Sequence, residues 1–125
     1  MCLFKRKSRN KKTQKGTVEY NAQKMKKRYP LNEYGYFGES GDNKRVIYAK
    51  NHERESRRFY SQVSKGGEEI PLDNGRGVKK IMRDGGVVVY RKKTKTPNSP
   101  AVDLGGMKGK VKNQRIHFIK RETRR

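Results

Sequence analysis

Residues 77–93 restrict the fold of this chain more than any other stretch of its sequence. They read GVKKIMRDGGVVVYRKK, two segments rich in apolar residues on either side of Asp84-Gly85. Aspartate and glycine tolerate the positive φ angles of tight hairpin turns, and valine, isoleucine and tyrosine favour extended backbone. The stretch therefore predicts a β-hairpin.

Further strands are expected before and after this hairpin. KRVIYAK predicts a short strand around Val46–Tyr48, PAVDL (residues 100–104) predicts another, and NQRIHFIK (residues 113–120) predicts the closing strand. Each is a short run containing β-branched or aromatic residues and is bounded by glycine, proline or asparagine. The alternation in the closing strand places Ile116 and Phe118 on one face of a sheet.

One helix is expected between the first strand and the hairpin. Asn51 is a good N-cap and Gly66-Gly67 is a stop, so residues 52–65 predict a helix with a thin apolar side. Residues 67–77, GEEIPLDNGRG, predict a turn-rich connector. Together these elements predict an α+β fold with a single small domain, in which the helix packs on a four- to five-stranded antiparallel sheet.

The charge of the chain indicates its class of partner. Its 125 residues include 34 Lys and Arg against 12 Asp and Glu, a net charge of +22. Residues 1–28 contain 11 of the basic residues and one acidic residue, and we expect them to form a disordered basic arm in front of a folded domain at residues 29–125. Such a field concentrates polyanions and releases their counterions, so nucleic acid is the expected partner, ahead of an anionic membrane surface.

Other classes of protein are disfavoured by what the sequence lacks. No apolar run approaches the ~20 residues of a membrane span, and the first residues show no signal-peptide pattern. Cys2 is the single cysteine, which rules out an internal disulfide and a cysteine-based zinc site. Asp73, Asp84 and Asp103 are isolated from one another in the sequence, so we expect no metal and no other cofactor.

Two residues on different strands indicate a possible chemistry. His117 in the closing strand and Arg91 in the hairpin could lie on the same side of the sheet, which would place an imidazole beside a guanidinium. Cleavage of RNA without a metal needs a base, an acid and a cation that stabilises the phosphorane. Imidazole suits either proton transfer near neutral pH. On spacing alone, however, a histidine such as His117 is more often structural or incidental than catalytic.

Other polar residues are open to two interpretations. Thr94, Thr96 and Ser99 place hydroxyls beside prolines, where they could bind a phosphate or be ordinary turn residues. His52 follows the Asn51 cap and could be a general base or an ordinary surface histidine. Tyr90 and Tyr48 could stack on bases or be half-buried strand residues.

The run from residue 74 to residue 120, including NGRGVKKIMRDGGVVVYRKK, SPAVDL and QRIHFIK, resembles the C-terminal nuclease toxin domains of bacterial polymorphic toxins. These are the tips of LXG-type and contact-dependent inhibition systems, and they belong to the barnase–EndoU–colicin–RelE group of metal-independent ribonucleases. The resemblance places Arg91, Thr96, Ser99 and His117 at the active-site positions and Asp103 at a supporting one.

The resemblance implies a ribonuclease toxin domain that cleaves RNA of a target bacterium by acid–base transesterification. It implies an acidic immunity protein as partner, and action in the cytoplasm of the target cell after delivery as part of a larger toxin. Thr94, Tyr90 and His52 are expected to support the catalytic residues. The basic residues expected to bind nucleic acid are Lys92, Lys93, Lys95, Lys108, Lys110, Lys112 and Arg115.

Two alternatives remain open. A non-enzymatic RNA- or DNA-binding protein, ribosome-associated or phage-encoded, fits the composition equally well. A DNase toxin of the same family is the second alternative.

Overall fold

The predicted hairpin is present as two neighbouring strands toward one edge of the sheet. The computed structural model of the chain describes residues 15–41, 44–72, 75–92 and 99–121. In it β4 (Gly77–Ile81) pairs antiparallel with β5 (Val87–Arg91), and Gly85 in the connecting turn has φ of 93°. That angle lies in the left-handed region, where glycine has no Cβ to clash, so the Asp-Gly signal in the sequence is confirmed.

The described residues form one sheet of seven strands in the order β1-β2-β7-β6-β5-β4-β3. Every neighbouring pair is antiparallel except β2 and β7, which are parallel. The remaining strands are β1 (Glu39–Gly41), β2 (Lys44–Ala49), β3 (Glu68–Pro71), β6 (Ala101–Gly105) and β7 (Gln114–Lys120).

The expectation of a helix on a four- to five-stranded antiparallel sheet is therefore wrong: the sheet is mixed, has seven strands and dominates the fold. The two unexpected strands, β1 and β3, are three and four residues long and carry glutamates at the sheet edges. The segment expected to be only a connector, residues 67–77, contains β3. Such short polar segments have no apolar alternation, so pairing with a neighbour, rather than sequence pattern, makes them strands.

The predicted helix is confirmed as α2 (His52–Val63), although the sheet that it covers differs from the expected one. The Asn51 side chain accepts a hydrogen bond from the backbone N–H of Arg54 at 3.1 Å, which makes it the N-cap. Phe59 is completely buried at the centre of the core. Its ring contacts those of Tyr29, Phe37 and Phe118 at centroid distances of 5.1, 5.0 and 5.5 Å.

A second helix, α1 (Val18–Lys24), lies inside the segment expected to be a disordered arm. Val18, Ala22 and Met25 are each 5% exposed or less, and their i, i+4, i+7 spacing presents one apolar stripe to the core. The expectation of disorder over residues 1–28 is thus wrong for residues 15–28, because burial of this stripe outweighs the surrounding charge. Residues 1–14 lie outside the described part of the chain.

Hydrogen bonds join α1 to the end of α2. The Asn21 amide donates to the backbone carbonyls of Val63 and Lys65 at 2.8 and 3.1 Å. The last carbonyls of a helix have no partner within the helix, so Asn21 satisfies the buried carbonyl of Val63 at the end of α2. The N-terminal segment is therefore part of the folded domain.

Candidate active site

The two faces of the sheet differ in what covers them. Directly paired residues of neighbouring strands point to the same face. Tyr90, Val102 and Ile116 are paired in one row, and Tyr90 contacts the Tyr60 ring of α2 at 5.5 Å. This is the helix-covered face. The side chains that alternate with these along each strand point to the opposite face, which we call the helix-free face.

Arg91 and His117 both lie on the helix-free face. Arg91 is paired with Ala101 of β6, and Ala101 is paired with His117 of β7, so the three side chains form one row across three strands. Two strand spacings separate the Cα atoms of Arg91 and His117 by about 10 Å. The register thus confirms that the guanidinium and the imidazole share one side of the sheet.

The Arg91 guanidinium belongs to a three-residue cluster. Its Nε donates to Oδ2 of Asp103 at 2.9 Å, while Arg115 donates through Nε to Oδ1 at 2.7 Å and through Nη2 to Oδ2 at 3.2 Å. The Asp103 side chain is 19% exposed, and those of Arg91 and Arg115 are 36% and 51% exposed. The hydrogen bond that Arg115 donates to Asp103 raises the pKa of Arg115. The cluster therefore holds two permanent cations in fixed orientations and carries a net charge of +1.

The His117 imidazole is held by Ser99. The Ser99 hydroxyl and His117 Nδ1 are 3.0 Å apart, and the two residues are 2% and 6% exposed. The hydroxyl can donate to an unprotonated Nδ1 or accept from a protonated one, so the tautomer of the imidazole decides the direction of this bond. In either case this hydrogen bond orients the imidazole ring.

The other proposed catalytic and supporting residues lie elsewhere or outside the description. Tyr90 is 8% exposed on the helix-covered face, where its hydroxyl is 3.3 Å from that of Ser56. His52 is the first residue of α2, which packs on the face opposite His117. Thr94 and Thr96, together with Lys93 and Lys95, lie outside the described residues.

The four expected nucleic-acid-binding lysines that the structure describes are exposed but not gathered at His117. Lys92 follows β5, and its backbone N–H donates to the carbonyl of Arg76 at 3.1 Å. Lys108, Lys110 and Lys112 lie in the loop between β6 and β7, which docks beside α1 because the Val111 N–H donates to the Glu19 carboxylate at 2.7 Å. Of the expected set, Arg115 is the residue that the structure places in the arginine cluster.

Two residues of the helix-free face were not assigned a role from the sequence. Lys79 is paired with Val89, which is paired with Asp103, so Lys79 lies in the row of the arginine cluster. Tyr48, considered only as an open alternative, is 42% exposed and lies in β2 two residues beyond Val46, the partner of His117. Alternation within each strand could have assigned both faces once the strand order was known.

The described residues offer neither a cluster of metal-ligating side chains nor a membrane-spanning helix. They contain no group of three or more His, Cys, Asp or Glu side chains placed to hold a metal ion, and the absence of a cofactor stays a prediction. Neither helix in the described part of the chain has the length and apolar character needed to cross a membrane.

No family model matches this chain, and no curated protein or solved structure gives a match either. The resemblance to polymorphic toxin domains therefore stays a prediction.

Proposed function

We propose that this chain is a metal-independent endoribonuclease whose active site lies on the helix-free face around His117 and Arg91. The observation that carries the proposal is the register, which aligns Arg91, Ala101 and His117 in one row with the Asp103–Arg115 pair beside it. A permanent cation and a titratable ring on one face supply the phosphorane-stabilising charge and one of the two proton-transfer groups that this cleavage requires.

The proposed reaction is an intramolecular transesterification. The 2′-oxygen of a ribose attacks the adjacent phosphorus and forms a P–O2′ bond, while the bond to the 5′-oxygen of the next nucleotide breaks. The products are a 2′,3′-cyclic phosphate and a 5′-hydroxyl end. His117 transfers one of the two protons involved, either from the 2′-hydroxyl or to the leaving 5′-oxygen, and solvent water accepts or supplies the other.

The arginine cluster supplies the electrostatic part of the mechanism. Negative charge develops on the phosphorane oxygens, and Arg91 is the proposed donor that contacts them, with Arg115 as a second cation. Asp103 fixes both guanidinium groups before the substrate arrives. Such preorganised donors stabilise a transition state without having to reorient during the reaction.

The biological setting is part of the same proposal. The net charge of +22 favours binding to RNA and to an acidic protein partner, as an immunity protein would be. We place the activity in the cytoplasm of a target bacterium, in accordance with the resemblance to toxin domains. A DNase activity at the same site is the enzymatic alternative.

The test is cleavage of total RNA and of matched single-stranded DNA by the purified protein in excess EDTA. We expect RNA to be cut, DNA to remain intact, and the new ends to be 2′,3′-cyclic phosphate and 5′-hydroxyl. Cleavage that requires added Mg²⁺, or that proceeds equally on DNA, would contradict the proposed mechanism because DNA lacks the 2′-hydroxyl.

A second candidate function is binding of nucleic acid without cleavage. It is favoured by the burial of both Ser99 and His117 and by the hydrogen bond between them, which is the arrangement expected of a structural pair. If the protein binds RNA but leaves it intact over long incubation, with or without divalent metal, this second function replaces the first.

A further inference from the structure

A cavity of about 280 Å³ lies at the ends of the parallel strands β2 and β7. Its lining includes Tyr48 and Lys50 from the end of β2, Arg121 from the end of β7, and Arg28 and Glu55 from the helical side of the fold. The backbone N–H of Arg121 donates to the carbonyl of Ala49 at 2.8 Å, which holds the two strand ends together at the cavity.

The charges around the cavity do not cancel. Glu55 accepts two hydrogen bonds from Arg28, at 2.8 and 3.2 Å, and a third from the Tyr29 hydroxyl. The hydrogen bond from Arg28 lowers the pKa of Glu55, so the Glu55 carboxylate stays ionised and its charge is balanced by that of Arg28. Within the described residues neither Lys50 nor Arg121 forms an ion pair, so two positive charges remain available to an anion.

Tyr48 belongs to the lining of this cavity and, unlike its neighbours Ile47 and Ala49, points to the face of the sheet that carries the proposed active site. It is 42% exposed and lies on the helix-free face in register with Ile119. The Cα atom of Tyr48 is about 8 Å from that of His117, because Tyr48 lies two residues further along β2 than Val46, the partner of His117 on the neighbouring strand. Tyrosine rings at such positions stack on unpaired bases in proteins that bind single strands.

We infer that this cavity binds one nucleotide, with its base stacked on Tyr48 and its phosphate between Lys50 and Arg121. The role of that nucleotide as the neighbour of the cleaved phosphate rests on the proposed function, whereas its binding does not. The ligand chemistry is an aromatic base that carries a phosphate, either as a free mononucleotide or as one unit of a single strand. A base within a duplex is already stacked and paired, so the site selects unpaired nucleic acid.

The probe for the base contact is a single-stranded deoxytetranucleotide. It lacks the 2′-hydroxyl and survives the proposed reaction, so its affinity can be measured by calorimetry whether or not the protein cleaves RNA. We expect Tyr48→Ala to raise its Kd about tenfold or more, since stacking on one aromatic ring has that effect. Tyr48→Phe should bind the tetranucleotide like wild type. Tyr34→Ala, at a 67% exposed tyrosine in the loop before β1, should leave the Kd unchanged.

The phosphate contact is tested through the salt dependence of the same binding. Lys50→Gln and Arg121→Gln should each reduce the slope of log affinity against log salt concentration by about 0.7, the effect of losing one phosphate contact on a single strand. Lys65→Gln, at an exposed lysine after α2, is the control for the loss of one charge.

Adenosine 5′-monophosphate and inorganic phosphate distinguish the two sources of the ligand. Mononucleotide binding that depends on Tyr48 and exceeds phosphate binding would identify a site for free nucleotides. Tyr48-dependent binding of the tetranucleotide alone would identify a subsite for a strand.

The inference is overturned if folded Tyr48→Ala protein binds the tetranucleotide as tightly as Tyr34→Ala does. It is also overturned if a duplex of the same sequence binds equally tightly and with the same dependence on Tyr48. Failure to cleave RNA would leave these measurements intact, so the proposed function can fail without the inference.

Discussion

The two faces of strands β5, β6 and β7 are built from alternate residues of the same segments, yet they differ in chemistry. In β7, Ile116 and Phe118 are fully buried beneath α2, while Arg115 and His117 point to the other side. The first pair contributes apolar burial, whereas Arg115 belongs to the cluster with Asp103 and Arg91, and His117 forms a hydrogen bond with Ser99. Because neighbouring residues take opposite roles, substitutions one position apart should separate stability from activity.

Replacing His117 should have the largest effect. His117→Ala should lower the rate of RNA cleavage about 10²–10⁴-fold, because one acid–base group typically contributes that much. Binding of the deoxytetranucleotide should survive, since affinity comes mainly from the basic residues. Unfolding should stay cooperative, at a lower midpoint because Ser99 loses its hydrogen bond to the ring.

Ile116→Val is the matched control on the other face. It should cost about 1 kcal/mol of unfolding free energy and leave the cleavage rate of the folded protein unchanged. Wild-type turnover in folded His117→Ala protein would show that the two faces do not divide stability and catalysis between them.

Asp103→Asn should have the next largest effect and should separate binding from turnover. The amide removes the charge that orients Arg91 and Arg115, so we expect the cleavage rate to fall about 10- to 100-fold through misplacement of the phosphate. RNA affinity should rise slightly, because a negative charge has left the site.

Asp84→Asn, in the hairpin turn, makes the same change of charge outside the cluster and should affect neither quantity. Equal turnover in the two variants would mean that the orientation of Arg91 and Arg115 by Asp103 does not contribute to the cleavage rate. Kinetics at saturating RNA together with equilibrium binding provide the two readouts.

Asn21→Ala tests the helix-covered side and the inclusion of residues 15–28 in the fold. Loss of the bonds to the carbonyls of Val63 and Lys65 should cost about 1–3 kcal/mol in urea unfolding. Gln23→Ala, at an exposed position of the same helix, should cost a few tenths of a kcal/mol at most. The RNA cleavage rate should be unaffected by either substitution. Identical stabilities of the two variants would argue that α1 is not part of the cooperative fold.

The smallest effect concerns the pH dependence of the unfolding free energy that the Arg28–Glu55 ion pair contributes. The hydrogen bond from Arg28 lowers the pKa of Glu55 below its ordinary value of 4.5. A carboxyl with a lowered folded-state pKa stabilises the fold above the ordinary pKa and loses that contribution as the pH falls through the folded-state value.

Glu55→Gln should therefore unfold with a flatter dependence on pH below about 4.5 than wild type, measured by thermal melts. The difference should be small because the Arg28 side chain is 52% exposed. Glu33→Gln, at an exposed glutamate outside this pair, should follow the wild-type curve, and a Glu55→Gln curve that also follows it would show that the pair does not contribute.

Local sequence patterns were sufficient for several elements and for part of the candidate site. The Asp84-Gly85 turn, the Asn51 cap and the alternation in 113–120 predicted the hairpin, α2 and β7, because turn geometry, capping and side-chain period act within a few residues. The same alternation separated His117 from Ile116 and Phe118. The seven-residue helix α1 was missed although its apolar spacing was visible, since 11 basic residues in the surrounding segment favoured disorder.

Only the tertiary structure decided which strands are neighbours. The parallel pairing of β2 with β7 joins segments about 70 residues apart, and no local signal encodes a contact at that separation. The same pairing order brings Asp103 between Arg91 and Arg115 and places Tyr48 beside the row of His117. The sequence by itself determined which face each side chain of a strand occupies, because the backbone alternates locally. Which residues are neighbours on one face depends on the strand order. That order is held by long-range packing, in which Phe59 of α2 contacts Phe118 of β7.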